Sequence, residues 1–194
     1  LQLSGLDYGQ LVFNNTIALN AMVLAKPELS YYPYKYIPTK KPNSKGVVNL
    51  LKAISVKQLD IQDGSLHIMQ DAVDSIQVSI ATYNFTLYGG KTDPKLVSRK
   101  IPLKYDSYQL KAIDIFADLG KYETFKVAQL ETSERKLMLK EVHLASKYGK
   151  KALSKYLAVE RDYVDLEIPE VKFDNLEFGF DESRFELAIV SLNF

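Results

Sequence analysis

A chain of 194 residues, 46% of them hydrophobic, is long enough to bury a core, which excludes wholesale disorder. With 25 Lys+Arg against 24 Asp+Glu the net charge is +1, so no field steers a polyanion and a nucleic-acid partner has no electrostatic support. The absence of Cys excludes disulfides and thiolate metal sites, and two His alone, His67 and His143, exclude a His-rich metal centre.

The chain begins at Leu1 with no signal-peptide pattern. Its longest nearly uncharged stretch, 11–25, is interrupted by Asn14, Asn15, Thr16 and Asn20, so no spanning helix is expected there. It reads as an excised part of something longer or as a matured product.

Most apolar residues follow a strand period. Ile17, Leu19, Met22 and Leu24 introduce a spacing of i, i+2, i+5 and i+7. It returns at Leu137, Leu139, Val142 and Leu144, at Leu166, Ile168, Val171 and Phe173, at Val171, Phe173, Leu176 and Phe178, and at Leu187, Ile189, Leu192 and Phe194. Strict alternation would send the third residue of each set to the opposite face. A β-bulge or short break that absorbs one residue keeps all four on one face. The stretch 33–45, rich in Tyr, Pro and Lys, reads as a loop, and 45–54 as a short helix carrying Val47, Val48, Leu50, Leu51 and Ile54. Asp63-Gly64 favours a two-residue hairpin turn in which Ile61 faces Leu66, Asp60 faces His67 and Leu59 faces Ile68. A bulge within one strand would also hold Leu59, Ile61, Leu66 and Ile68 together. Further strands are expected over 74–87, 105–116 and 122–131, with a turn region around Gly89-Gly90 and Lys91–Pro94. The stretch 147–159 reads as a second helix, its Tyr148, Ala152, Leu153, Tyr156 and Leu157 on one face.

No nucleotide, phosphate-loop, nucleophile-elbow, zinc-protease or EF-hand motif occurs. His67 opposite Asp60 reads as a surface cross-strand pair, and His143, between Val142 and Leu144, as a solvated strand position. Asp165 and Glu167 alternate with Leu166 and Ile168, which makes them the wet side of a strand. Lys35, Lys40, Lys41 and Lys45, interleaved with Tyr31, Tyr32, Tyr34 and Tyr36, read as a solvated loop. The two Asn-x-Thr sequons, at Asn14 and Asn84, fall in expected strands and are discounted. No catalytic residue, cofactor or metal ligand is expected, and the chain is read as no enzyme.

The run from Ile17 to Tyr32, IALNAMVLAKPELSYY, resembles the strand that opens units of AsmA-like proteins. Val56 to Ile68, VKQLDIQDGSLHI, resembles the hairpin of the same proteins. Thr132 to Leu144 and the strand Glu160 to Val171, ERDYVDLEIPEV, are similar to a variant of this group, although Ala145-Ser146 stands where that variant carries Pro. The resemblance covers about residues 1–178. It implies the AsmA/TamB type of Gram-negative envelope protein. Such proteins are anchored in the inner membrane by a segment not present here, and extend a β-groove into the periplasm. Some are implicated in lipid transport or outer-membrane homeostasis.

The expected fold is mainly β: one domain over 1–194, a long twisted antiparallel sheet curled into an open groove or half-barrel, with two short helices. Two short helices cannot cover eight to twelve strands, so the sheet must curl on itself or stay partly open. Leu59, Ile61, Leu66, Ile68, Leu137, Leu139, Leu166 and Ile168 are the expected groove lining, and a phospholipid or other acyl lipid the expected partner, with envelope proteins as further partners. A filled structural or interaction scaffold is the alternative.

Overall fold

The computed structural model describes residues 1–33, 53–70, 75–92, 103–152 and 162–174, and the backbone of 177–181, 184–188 and 191–193. Strands dominate. β1 (Gln2–Ser4), the short helix α1 (Tyr8–Phe13), β2 (Thr16–Ala25) and β3 (Glu28–Tyr31) come first. β4 (Ala53–Met69) and β5 (Ile76–Thr92) run for 17 residues each. β6 (Leu103–Lys104), β7 (Ser107–Asp118), β8 (Glu123–Ser133), β9 (Lys136–Ser146) and β10 (Asp165–Asp174) follow, then β11 (Glu177–Asp181), β12 (Arg184–Ala188) and β13 (Ser191–Asn193). Eleven strands form one open sheet in the order β1-β2-β4-β5-β7-β8-β9-β10-β13, with β3 beside β4 and β6 beside β5; β11 and β12 pair separately. β1 and β13 end the sheet and do not pair, so it is not a barrel.

From β4 to β10 every pairing is antiparallel, as expected. β2 and β3 instead run parallel to β4, which makes the sheet mixed. The two are one strand interrupted at Lys26: β2 covers β4 up to Gln62 and β3 resumes at Ser65. The backbone N–H of Lys26 donates to Gln62 O at 2.7 Å and that of Ser65 to Pro27 O at 2.9 Å, which carries the ladder across the break. The expected helix over 45–54 lies outside the described residues except at Ala53 and Ile54, which are strand. Of the expected helix over 147–159, residues 150–152 are helical and 153–159 lie outside the described part. α1 was not expected. The Asp7 carboxylate caps it by accepting from the Gln10 N–H at 3.0 Å, and Asn15, at φ 50, turns the chain out of it.

Asp63-Gly64 is not a hairpin turn. Both residues lie inside β4, and the hairpin partner of β4 is β5. Asp63 has φ 52 and is an extra residue on its strand: Ile61 pairs with Phe85 and Gly64 with Tyr83, three steps against two. The Asp63 N–H is satisfied by the Asn84 side-chain oxygen at 3.0 Å. This is the bulge that keeps Leu59, Ile61, Leu66 and Ile68 on one face. His67 therefore faces Ser79, and Asp60 faces Thr86, whose hydroxyl donates to it at 2.8 Å; the two do not meet. Gly89 and Gly90 are also strand, with Gly89 at φ 65.

The bulge at Asp63 belongs to a line. Lys26, Asp63, Asp114 and Glu141, with φ between 51 and 54, sit at the same level on successive parts of the sheet. Ala128 of β8 and Pro169 of β10 fall between the paired residues at that level. A second line crosses the other end of the strands through Asn20, Lys57 and Gly89, where the ladder pairs skip one residue on each strand. At each line the alternation of faces slips by one, so the spacing i, i+2, i+5, i+7 holds one apolar face throughout. In β9 the step falls at Glu141 and in β10 at Pro169, as the spacing requires. The last two occurrences of that spacing fall partly outside the described residues.

Gly64 tests this packing. Its φ is not positive, but a Cβ there would stand 2.5 Å from Cζ of Tyr83, whose ring lies across it. Gly64→Ala should therefore destabilise the protein by about 1 kcal/mol, the scale of a small-to-large change with some give. In a Tyr83→Ala background the same change should cost much less. A urea-denaturation double-mutant cycle measures the difference; equal costs in both backgrounds would show that the ring is not the obstacle.

Candidate functional site

The site the fold presents is a face. Across the sheet Leu59, Leu87 and Tyr108 follow one another, then Ile61, Phe85 and Leu110, then Leu66, Ile80 and Ile115. The row continues from Ile115 through Val127 and Val142 to Ile168, and a neighbouring row runs Leu130, Leu139, Val171. Leu59, Ile61, Leu66 and Ile68 are thus on the same face as Leu137, Leu139, Leu166 and Ile168. The two groups do not touch: β5, β7 and β8 lie between β4 and β9, a separation of four strand spacings or about 19 Å. Leu166, in the last long strand, is 48% exposed.

Burial shows which way the sheet bends. Ten described residues are buried: Leu19, Val56, Gly64, Leu87, Gly90, Tyr108, Ala112, Val127, Val142 and Val171. All lie on the apolar face. Each of the ten also stands within two residues of one of the two bulge lines, counting the bend at Asp106 with the second. On a flat sheet with no covering layer, shelter comes only from same-face neighbours and would not concentrate along two lines. A bend toward the apolar face brings the side chains flanking the bend together, and Val127, Val142 and Val171 form such a cluster with Ile115, Leu139 and Ile168. The bulge lines are creases, and the face between the strand ends is a trough. Its floor is small and β-branched at the second of the flanking rows. Among the described residues the large side chains that are buried are Leu87, Leu19 and Tyr108, at 3%, 7% and 9% exposure, and the other large residues of the lining stay half-buried or exposed.

The opposite face is wet. Gln58 and Thr86 bind the Asp60 carboxylate, each at 2.8 Å, and Lys111 pairs with Glu131 at 3.0 Å, which holds the Glu131 carboxyl below its ordinary range. His143 Nε2 meets Asp165 Oδ1 at 3.0 Å and Glu167 at 3.9 Å. A hollow of about 730 Å³ lies at the first crease, lined by Ile115, Val127, Val142 and Ile168 as well as Phe116, Lys126, His143 and Glu167, and another of about 600 Å³ is lined by Leu110, Leu137 and Phe173 as well as Lys111, Glu131 and Lys136. Among the described residues no group of three His, Asp or Glu is placed to hold a metal ion, and no helix is long and apolar enough to cross a membrane.

The eight residues expected as lining share the apolar face with Tyr83 and Ala112, which the sequence reading did not single out and which lie beside Gly64. The three-residue step from Ile80 to Tyr83, the same step as in β9, is the signal that would have found them. No family model, curated protein or solved structure matches the chain.

One clamp fixes the far rim. Lys147 Nζ binds both Asp118 carboxylate oxygens at 2.6 Å and the Gly120 carbonyl, joining the end of β9 to the β7–β8 turn. The Lys147 hydrogen bond, aided by the Gly120 N–H, lowers the Asp118 pKa. A carboxylate with a depressed folded pKa adds stability that is complete above the ordinary value of about 3.9 and is lost as pH falls through the lower folded one. Lys147→Met should therefore lower the urea midpoint at neutral pH, and the gap to the parent should close as pH drops below the ordinary Asp range. A gap that persists unchanged at the acid end would mean that Lys147 acts through packing alone.

Proposed function

We propose that the chain is a non-catalytic, periplasmic section of a Gram-negative envelope protein of the AsmA/TamB type, which handles acyl lipid along its apolar trough. The observation that carries this reading is an apolar face creased into a trough, with no covering layer and no wholly buried large side chain among the described residues. The first crease crosses seven strands, from β2 to β10, over about 29 Å at the usual strand spacing. One leaflet of a bilayer's hydrocarbon is about 15 Å thick. The floor is thus longer than an acyl chain, which suits a track along which a chain slides more than a pocket that encloses it. Its lining is non-directional, and each methylene taken from water contributes about 0.8 kcal/mol. The sequence resemblance described above points the same way and supplies the envelope placement and the inner-membrane anchor.

A scaffold that docks a protein partner is the second reading. It is favoured by the first edge of the sheet, where Val12 and Phe13 of α1 are 72% and 86% exposed. Such exposed apolar side chains mark contact surfaces when they cluster.

Ile61→Asp separates the two. In a filled core an unpaired carboxylate costs several kcal/mol and unfolds the domain. In an open trough water reaches it, so the melting temperature should drop by a few degrees while bound lipid, measured by mass spectrometry of lipid extracts, disappears. Global unfolding favours the scaffold, and a folded parent protein that never carries lipid removes the lipid reading.

A further inference from the structure

We infer that Tyr83 is the specificity-determining group of the trough: its phenol donates a hydrogen bond to the carbonyl of an ester-bearing acyl lipid, on the reading that the trough takes acyl chains. Tyr83 lies near the middle of β5, beside the crease, with Gly64 on one neighbouring strand and Ala112 on the other. These are the smallest pair of neighbours on the face, and they leave the tyrosine ring room to lie across Gly64, its hydroxyl over β4 rather than upright toward solvent.

The other hydroxyl-bearing side chains on this face are at the strand ends or the edge, and those along the same rim are engaged by the protein itself. Tyr108 Oη donates to Glu134 O at 3.0 Å. Thr132 Oγ1 donates to Lys136 O at 2.8 Å. Thr92 Oγ1 accepts from the Ile54 N–H at 3.0 Å. Tyr83 Oη has no hydrogen-bond partner among the described residues, and its ladder neighbours on the face, Gly64 and Ala112, are uncharged. A purely apolar trough has nothing to offset the desolvation of an ester carbonyl and so favours the alkane. A single donor on an otherwise hydrocarbon floor shifts the balance toward the ester, because a ligand without an acceptor leaves the hydroxyl unpaired when it displaces water. The lipid would then lie along the crease with its carbonyl at β5 and its head group in the open mouth of the trough.

The test uses the whole chain and two fluorescent probes, a pyrene-labelled fatty acid methyl ester and the pyrene-labelled alkane of the same chain length. Tyr83→Phe keeps the ring over Gly64, so its melting temperature should match the parent. It should bind the ester about fivefold more weakly, the effect of one neutral hydrogen bond, and the alkane as well as the parent does. Equal weakening for both probes would assign Tyr83 to packing alone, and no change for either would also overturn the inference, both leaving the lipid reading intact. A parent chain that binds neither probe would remove the lipid reading and this inference with it.

Discussion

A β-strand has two faces, and which face a residue takes is decided by counting. Everything distinctive in this fold follows from breaking that count by one at the same level on neighbouring strands. A one-residue step on a single strand shifts its register against its neighbours unless they take it up as well. Here Asp63, Asp114 and Glu141 make the step on three strands, and residues beside them on β5, β8 and β10 accommodate it. The slip is shared, so the ladder survives on both sides of the crease. The apolar set stays on one side for the full 17 residues of β4 and β5.

The step has an energetic cost. A non-glycine residue in the left-handed region costs roughly 1–2 kcal/mol. Lys26, Asp63, Asp114 and Glu141 all adopt it, and all four side chains are exposed. Charged residues fit there because their side chains reach water on the outside of the bend, whereas a β-branched residue would not tolerate the backbone. What offsets the cost is on the inside. Val127 and Val142, 2% and 7% exposed, are sheltered because the crease closes over them, and each fully buried valine contributes on the order of 1.5 kcal/mol or more. Bend and core are the same feature, so the sheet gains a sheltered strip with no second layer among the described residues.

This explains what could be read from the sequence and what could not. The spacing at Leu137–Leu144 and Leu166–Phe173 states the shared step directly, because the apolar pattern records the face each residue must take. The mainly β fold follows from it, and so does the shared face of Leu137, Leu139, Leu166 and Ile168; Leu59, Ile61, Leu66 and Ile68 are grouped instead by parity around Asp63-Gly64. Asp63-Gly64 misled because a residue pair able to adopt positive φ serves a turn and a bulge equally, and parity is satisfied by both. Only the partner strand distinguishes them, and that is a long-range fact. The parallel pairing of β2 with β4 is hidden for the same reason. The two-residue turn between Ser133 and Lys136 places Glu134 at φ 52, with neither Gly nor Asn to announce it. The face of Tyr83 was legible from the spacing Val78, Ile80, Tyr83 and Phe85, but the lie of its ring was not, because that depends on the absence of a side chain at Gly64, across the ladder.

The division of labour between crease and flank bears on how such a surface can stay open. If stability rested on the whole apolar face, the trough would have to close, and selection for packing would fill it. In this sheet the sheltered residues are confined to the two creases, while Leu59, Ile61, Ile68 and Phe85 remain half-buried. The outer face adds its own ladder of polar contacts, from Asp60–Thr86 to Lys111–Glu131, that fixes strand against strand without drawing on the inner face. The flanks are thereby left as apolar surface that the fold does not need to cover. Surface of that kind has an unfavourable hydration free energy proportional to its area. Any apolar molecule that fits between the flanks lowers it, with no conformational change demanded of the sheet. On the proposed reading, a trough held open by its creases would be pre-organised for its acyl guest.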